Sequence, residues 1–493
     1  MTRKKQKRKN LLSTKNKSRK RISVSNKSSL NIDHALSIAL QHHQNGQLNK
    51  AEKVCKKILK ADPNHSDVLH LLGLIARKAG KNDVAANLIS QAISISPKNE
   101  IYYYNMGNTL KDLGKLNEAI SCYQKVVKLK PAFTEAYNNM AVLLKEQGRS
   151  DEAITYYRKA LQLRPDDAQA HNNMGNALKD QGRPDEAIAC YRKALEIKPD
   201  CVEAHYSIGN VLRGQGKVDE AITCYRKALE IEPNHAGAYC SMGNALKEQG
   251  KLAEAIASFH HAVTLDPENS SAKHQLAAVT GQTTEAAPRA YIRDLFDQYA
   301  KKFDRDLVEI LGYKIPTLLR RTLHATVKND LHFKNIIDLG CGTGLAGMEF
   351  RVIADRLSGI DISPRMIEEA KKKHVYDILL VADIIEFLNN CDEKYDLFIA
   401  TDVFVYSGNL KGIFELVQNH SLNGAYFLFS TESCANNDYV LRPTARYAHS
   451  RPYIQSLAKE HGFVVKLCQS AGIRKEYGQW IMGHIFVLES VHS

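Results

Sequence analysis

A chain of 493 residues is too long for one hydrophobic core, and its 44% hydrophobic content supplies enough apolar surface to fill at least two. No run approaches the roughly 20 apolar residues of a membrane-crossing helix, and no apolar stretch follows the N-terminal charges as in a secretory signal, so a cytoplasmic protein is expected. The net charge is +14, but residues 1–27 hold twelve Lys/Arg and no acid, which leaves about +2 for everything else.

A segment of Lys, Arg, Ser and Asn buries too little apolar area to fold alone, so residues 1–29 read as a disordered basic tail. It either holds a polyanion such as nucleic acid or anionic lipid through phosphate contacts, or is a solvated tail without a defined partner. The ten cysteines include no C-x-x-C pair, and no Cys/His group shows ligand spacing. Reduced thiols and no metal site are expected.

From residue 32 the sequence is periodic. Prolines stand at Pro63, Pro97, Pro131, Pro165, Pro199, Pro233 and Pro267, each 34 residues after the last, and glycines from Gly46 to Gly250 and alanines from Ala51 to Ala255 keep the same step. Within one copy two amphipathic stretches flank a Gly-containing turn, and Pro ends the second, which predicts a helix-turn-helix unit. Gly107, Gly175, Gly209 and Gly243 are small where helices must approach, and Tyr123, Tyr157, Tyr191, Tyr225 and Phe259 fill the space between them. This L-G…A…P pattern resembles the tetratricopeptide repeat, in seven copies over residues 32–269. Residues 270–284 are expected to cap the last copy and then link to a second domain, since a terminal repeat must cover its apolar face.

Such repeats are expected to stack into a superhelical solenoid whose first helices line a concave, protein-binding surface. On those helices Asn105, Asn139 and Asn173 form one row, and Asn108, Asn176, Asn210 and Asn244 another. An amide offers both a donor and an acceptor to a peptide backbone. The ladder is similar to that of O-linked N-acetylglucosamine transferases, which implies a protein or peptide partner. The alternative is that these asparagines cap and bridge neighbouring helices.

Near residue 285 the period gives way to alternating strand-like and helix-like runs, and a second domain, 285–493, begins. "FKNIIDLGCGTGL" reads as a strand ending in Asp338, a turn of Gly340, Gly342 and Gly344, and a helix N-terminus. A dinucleotide site would want a third glycine where Leu345 stands. Instead D-x-G-x-G-x-G resembles the first motif of class I S-adenosylmethionine-dependent methyltransferases. Asp361 closes the next apolar run, where a carboxylate accepts from ribose hydroxyls, and Asp383 closes the one after, at a position that in the family faces the adenine amino group. Ser363 and Met366 open the helix after Asp361. The resemblance implies a Rossmann-like, seven-stranded fold, S-adenosylmethionine as cofactor, and an α + α/β chain overall. "KYDLFIATD", "NGAYFLFSTE", "FVVKLCQS" and "WIMGHIFVLES" read as strands four to seven, the last two a hairpin with an antiparallel final strand.

The helix "YIRDLFDQYAKKFD" resembles a methyltransferase lid, with Phe296, Tyr299 and Phe303 over the cofactor. With "DLGCGTGL" and "RYAHS", residues 288–490 are similar to predicted bacterial methyltransferases fused to tetratricopeptide repeats, a family that implies no particular acceptor. In-line transfer needs alignment, water exclusion and removal of any acceptor proton. The acceptor is expected beyond the carboxyl ends of strands four and five, near Asp402, Tyr406, Glu432, Arg446, Tyr447 and His449, with Asp402 or His449 as candidate base. Two functions stand: a methyltransferase whose repeats recruit a protein substrate or partner, or a repeat scaffold whose second domain binds the cofactor but has little activity.

Overall fold

The computed structural model describes residues 32–327, 331–435, 437–476 and 478–491. The basic tail, 1–29, lies outside them. The chain divides into two compact units between Val211 and Leu212.

The first unit is a series of helix pairs: α1 (residues 32–44) and α2 (Leu48–Ala61), α3 (Ser66–Lys78) and α4 (Asn82–Ile95), α5 (Glu100–Asp112) and α6 (Leu116–Leu129), α7 (Thr134–Glu146) and α8 (Ser150–Leu163), α9 (Ala168–Asp180) and α10 (Pro184–Ile197). The division falls inside α11 (Val202–Gly214). Each pair turns on a glycine in the left-handed region; Gly80, for example, has φ +74°, and the next residue's N–H returns to Ala76 O at 2.9 Å to close the first helix. The pairs stay close because the first helix carries glycine against the second helix's ring: a Cβ on Gly107 or Gly175 would lie 2.6 or 2.5 Å from Tyr123 or Tyr191.

The second unit begins with α12 (Val218–Ile231), α13 (Ala236–Glu248) and α14 (Leu252–Leu265), then α15 (Ser270–Thr280), which packs on α14. Residues after α15 are bound to the sheet domain, not loose: Ala287 N donates to Tyr406 O at 2.9 Å and Gly408 N to Glu285 O at 2.7 Å. Two helices, α16 (Arg289–Arg305) and α17 (Ile315–Thr326), joined through a π-helical turn (Asp306–Ile310), lead to the sheet.

Alternating strands and helices follow: β1 (Phe333–Leu339), α18 (Leu345–Phe350), β2 (Ala354–Asp361), α19 (Pro364–Lys371), β3 (Ile378–Val381), α20 (Ile384–Asn389), β4 (Tyr395–Ala400), α21 (Lys411–Asn419), β5 (Ser421–Ser433), β6 (Tyr439–Leu441), β7 (Tyr447–His449), α22 (Arg451–Glu460), β8 (Phe463–Glu476) and β9 (Gln479–Ser490). β1 to β5 are parallel in the order β3-β2-β1-β4-β5, and β9 pairs antiparallel with both β5 and β8. These are the seven expected strands with the expected final hairpin. Among the described residues the sheet has nine, because β6 and β7 form a small hairpin whose β7 pairs in parallel with the end of β5. Both faces are covered: Ile337, Phe398 and Phe427 pack towards α21 and α22, and Ile336, Leu397 and Leu428 towards α17 and α18. Strands buried on both faces must read as continuous apolar runs, as these do.

Candidate active site

A cavity of about 340 Å³ opens at the carboxyl ends of β1, β2 and β4, under α16. One half is built from the glycine turn. Gly342 has φ +54°, and a Cβ there would meet nothing nearer than Phe303 at 3.8 Å, so it would project into the cavity. Glycine is thus needed both for the backbone and for the open cradle beside it. Asp361 lies across from it and accepts from Gly342 N at 2.9 Å and Ser363 N at 2.8 Å. Burial still pushes its carboxyl up to about 6. Asp383 lines the third strand end; it caps α20 by accepting from Glu386 N at 3.1 Å and pairs with Arg289 at 2.7 Å.

The lid helix is fastened over this half by two acids of the "FDQYAKKFD" segment. Asp297 accepts from Ser363 Oγ at 2.5 Å, and Asp304 accepts from Lys373 Nζ at 2.6 Å and from the Thr343 hydroxyl. Phe296, Tyr299 and Phe303 line the cavity, and Phe303 meets each of the other two edge to face. Burial, with Asp306 nearby, pushes the Tyr299 phenol up to about 12.

The other half is lined by Tyr313, Thr401, Asp402, Tyr406 and Arg446. Asp402 adopts φ +57°, uncommon for a residue with a side chain, and its N–H donates to Ser430 Oγ at 3.0 Å. Its carboxylate oxygens face Arg474 at 3.5 Å and Arg446 at 3.6 Å. Behind it Glu432, 1% exposed, accepts from Arg474 Nη2 at 2.6 Å and from Arg442 Nη1 at 3.2 Å.

Of the residues singled out in the sequence, Gly340, Gly342, Asp361, Asp383, Tyr299 and Asp402 line the cavity; Asp338, Gly344, Ser363, Met366 and His449 do not. Asp338 is fully buried beneath it, where Tyr376 donates to Oδ2 at 2.6 Å and Oδ1 has no partner among the described residues. Burial raises its carboxyl to about 7. Ser363 caps α19, its Oγ accepting from Met366 N, and Met366 fills the core. His449 is fully buried, with Nε2 directed at the Ser407 and Gly408 carbonyls at 2.9 and 3.1 Å, and burial lowers it to about 4. It holds the turn after β4 and does not reach the cavity, and the helix beyond it is capped by Ser450. Sequence reading missed Arg474, Tyr313 and the two lid acids.

The asparagines lie half-buried and several bridge helices. Asn105 meets His70 at 2.9 Å; Asn139 donates to Asn108 at 3.1 Å and Tyr104 at 3.2 Å; Asn108 and Asn176 accept from Tyr123 at 2.7 Å and Tyr191 at 2.8 Å. Asn173 accepts from Gln169 within its own helix. Asn210 and Asn244 hold the equivalent positions of later copies.

Fold and cavity together define a helical-repeat array joined to an open α/β domain with a cavity at its strand ends, where domains of this build hold ligands. Residues 332–472 match the family described as "Methyltransferase domain", and 133–200 and 236–269 match "Tetratricopeptide repeat". The chain is a fusion of tetratricopeptide repeats with a methyltransferase domain. It is similar to the malonyl-[acyl-carrier protein] O-methyltransferase of Hamiltonella defensa subsp. Acyrthosiphon pisum, 28% identical over 30% of this chain and 54% of that protein. It is also similar to human methyltransferase-like protein 27, 34% identical over 17% of this chain and 34% of that one. The chain thus spans a third to about half of these relatives. Among solved structures it is similar to MamA, 31% identical over 34% of this chain and 96% of that one, with a TM-score of 0.32. Among the described residues no helix is long and apolar enough to cross a membrane, and no group of three His, Cys, Asp or Glu side chains is placed to hold a metal.

Proposed function

We propose that the second domain transfers a methyl group from S-adenosylmethionine, and that the repeats recruit a protein or peptide as substrate or partner. The observation that carries the reading is the pairing of Asp361 with Gly342. A buried carboxylate, tethered by two backbone N–H groups and lining a cradle that a Cβ would fill, is suited to two adjacent hydroxyls of a ribose. Asp383 would meet the adenine end, and Phe296, Tyr299 and Phe303 would exclude water.

When bound, S-adenosylmethionine supplies an electrophilic methyl on a sulfonium. The chain's own work is then alignment: the lid fixes the donor side through Asp297 and Asp304, and Tyr406 with Arg446 shapes the acceptor side. The methyltransferase of Hamiltonella defensa, named for O-methylation, is consistent with an oxygen acceptor.

Calorimetric titration of the purified protein with S-adenosylmethionine tests the reading. The wild type is expected to bind, and Asp361→Ala to bind at least about tenfold more weakly, having lost charge-assisted hydrogen bonds. A folded wild type that does not bind would overturn the enzyme and leave a repeat scaffold.

A further inference from the structure

Beyond the ends of β4 and β5 three guanidiniums, Arg442, Arg446 and Arg474, meet two carboxylates, Asp402 and Glu432. Glu432 and Arg474 pair at 2.6 Å with side chains 1% and 4% exposed, and Arg442 contacts Glu432 from outside the cavity lining. Of these three guanidiniums Arg446 is the one that lines the cavity. Its Nη1 lies 3.6 Å from Asp402 and 4.0 Å from Glu432, and has no hydrogen-bond partner among the described residues. Yet the group is held firmly in place. It stands 5.6 Å from the Tyr406 ring centroid, and the preceding residue, Ala445, is fixed at φ +63° with its carbonyl accepting from His274 Nε2 at 3.1 Å.

From this we infer that the methyl acceptor is a carboxylate, bound by Arg446 and methylated on oxygen; the inference rests on the donor reading above. A fixed, planar cation short of acceptors is the complement of a carboxylate. The rest of the lining agrees. Asp402 is engaged by two guanidiniums, burial holds the phenols of Tyr299, Tyr313 and Tyr406 and the thiol of Cys341 above their usual values, and His449 lies elsewhere. The raised phenols and thiol stay protonated near neutral pH and so cannot take a proton there, and Asp402 is already engaged by Arg446 and Arg474. A carboxylate needs no base, because it is already ionised there. Transfer forms one C–O bond while the methyl–sulfur bond breaks with its electron pair going to sulfur. The sulfonium and carboxylate charges cancel, and no proton is released. An amine or amide acceptor would have a proton to lose and would offer no charge to the Arg446 Nη1 that lacks a hydrogen-bond acceptor among the described residues.

The test uses the full chain saturated with S-adenosylhomocysteine and titrated by calorimetry with hexanoate and with hexanamide, whose short tails suit the apolar lid residues Ile292 and Leu295. Hexanoate should bind at least about tenfold more tightly than hexanamide. Arg446→Gln should abolish that difference while S-adenosylhomocysteine still binds. Equal affinity of the wild type for acid and amide, or binding of neither at millimolar concentration, overturns the inference whether or not the variant folds. Failure of the wild type to bind S-adenosylhomocysteine overturns the donor reading and this inference with it, so the two failures are told apart.

Discussion

Thr109, Thr134, Asn172, Ser207 and Ser258, the buried polar side chains of the repeats, are all neutral, whereas the sheet domain buries Asp338, Asp361, Glu432 and Arg474. Burying an ionisable group is costly unless it is paired or hydrogen-bonded. The repeats meet mainly along alanine, glycine and aromatic surfaces, so one copy can follow another with little change, and the cost shows there at Lys247, which burial lowers to about 8. The sheet domain accepts it at one place, the carboxyl ends of its strands. Charge burial there is what separates a ligand site from a packing surface.

The strongest way to break this comparison is to remove one charge. Glu432→Ala leaves Arg474, 4% exposed on its side chain, with its nearest carboxylate gone and Asp402 at 3.5 Å. A buried ion left without its partner should cost about 3–5 kcal/mol, measured by guanidinium unfolding followed by circular dichroism. A loss under about 1 kcal/mol would make the pair no more than a surface contact.

A pH series sharpens the same point. Burial raises Asp338 above the value it has in the unfolded chain, so the folded state binds a proton there more tightly. The stabilisation is fully present below the unfolded value, near 4, and is lost as the pH rises through about 7. Asn accepts from Tyr376 as Asp does and does not titrate. Asp338→Asn should therefore gain stability relative to wild type on going from pH 5 to pH 8, by on the order of 3 kcal/mol. His449 titrates in both proteins and cancels from the difference. A pH-independent difference in melting would show that Asp338 is not held neutral.

Most of the architecture was legible because it is periodic. Seven prolines at one spacing define the repeats, and continuous apolar runs ending in Asp338, Asp361 and Asp383 define three adjacent strand ends. The half of the cavity beside the glycine turn was legible, because its lining comes from turns that directly follow those strands. The half around Asp402 and Arg446 was legible only in part. Arg474 belongs to β8, where the register shifts between Gly472 and Arg474, so that Ile473 and Arg474 are both buried. A β-bulge of this kind defeats the alternation by which a strand's inner face is read. The lid acids were missed for another reason: Phe296 and Phe303 drew attention on the same segment, and acids beside them look solvated until Ser363 and Lys373 are seen opposite. His449 was placed at the correct strand end but turned inward, a distinction that spacing does not carry.

The smallest effect is expected in the repeats. Tyr191 donates to Asn176 at 2.8 Å while its ring seals the gap above Gly175. In the last copy Phe259 fills the same position, fully buried, with no hydroxyl to offer Asn244. The ring, not the hydroxyl, is what the stack needs. Tyr191→Phe should thus cost only about 1 kcal/mol, the net worth of one hydrogen bond, as read by urea unfolding. A loss of several kcal/mol would mean that the asparagine row braces the helices as its main task. A loss near 1 kcal/mol would mean that this hydrogen bond is a minor brace and that the ring carries the packing.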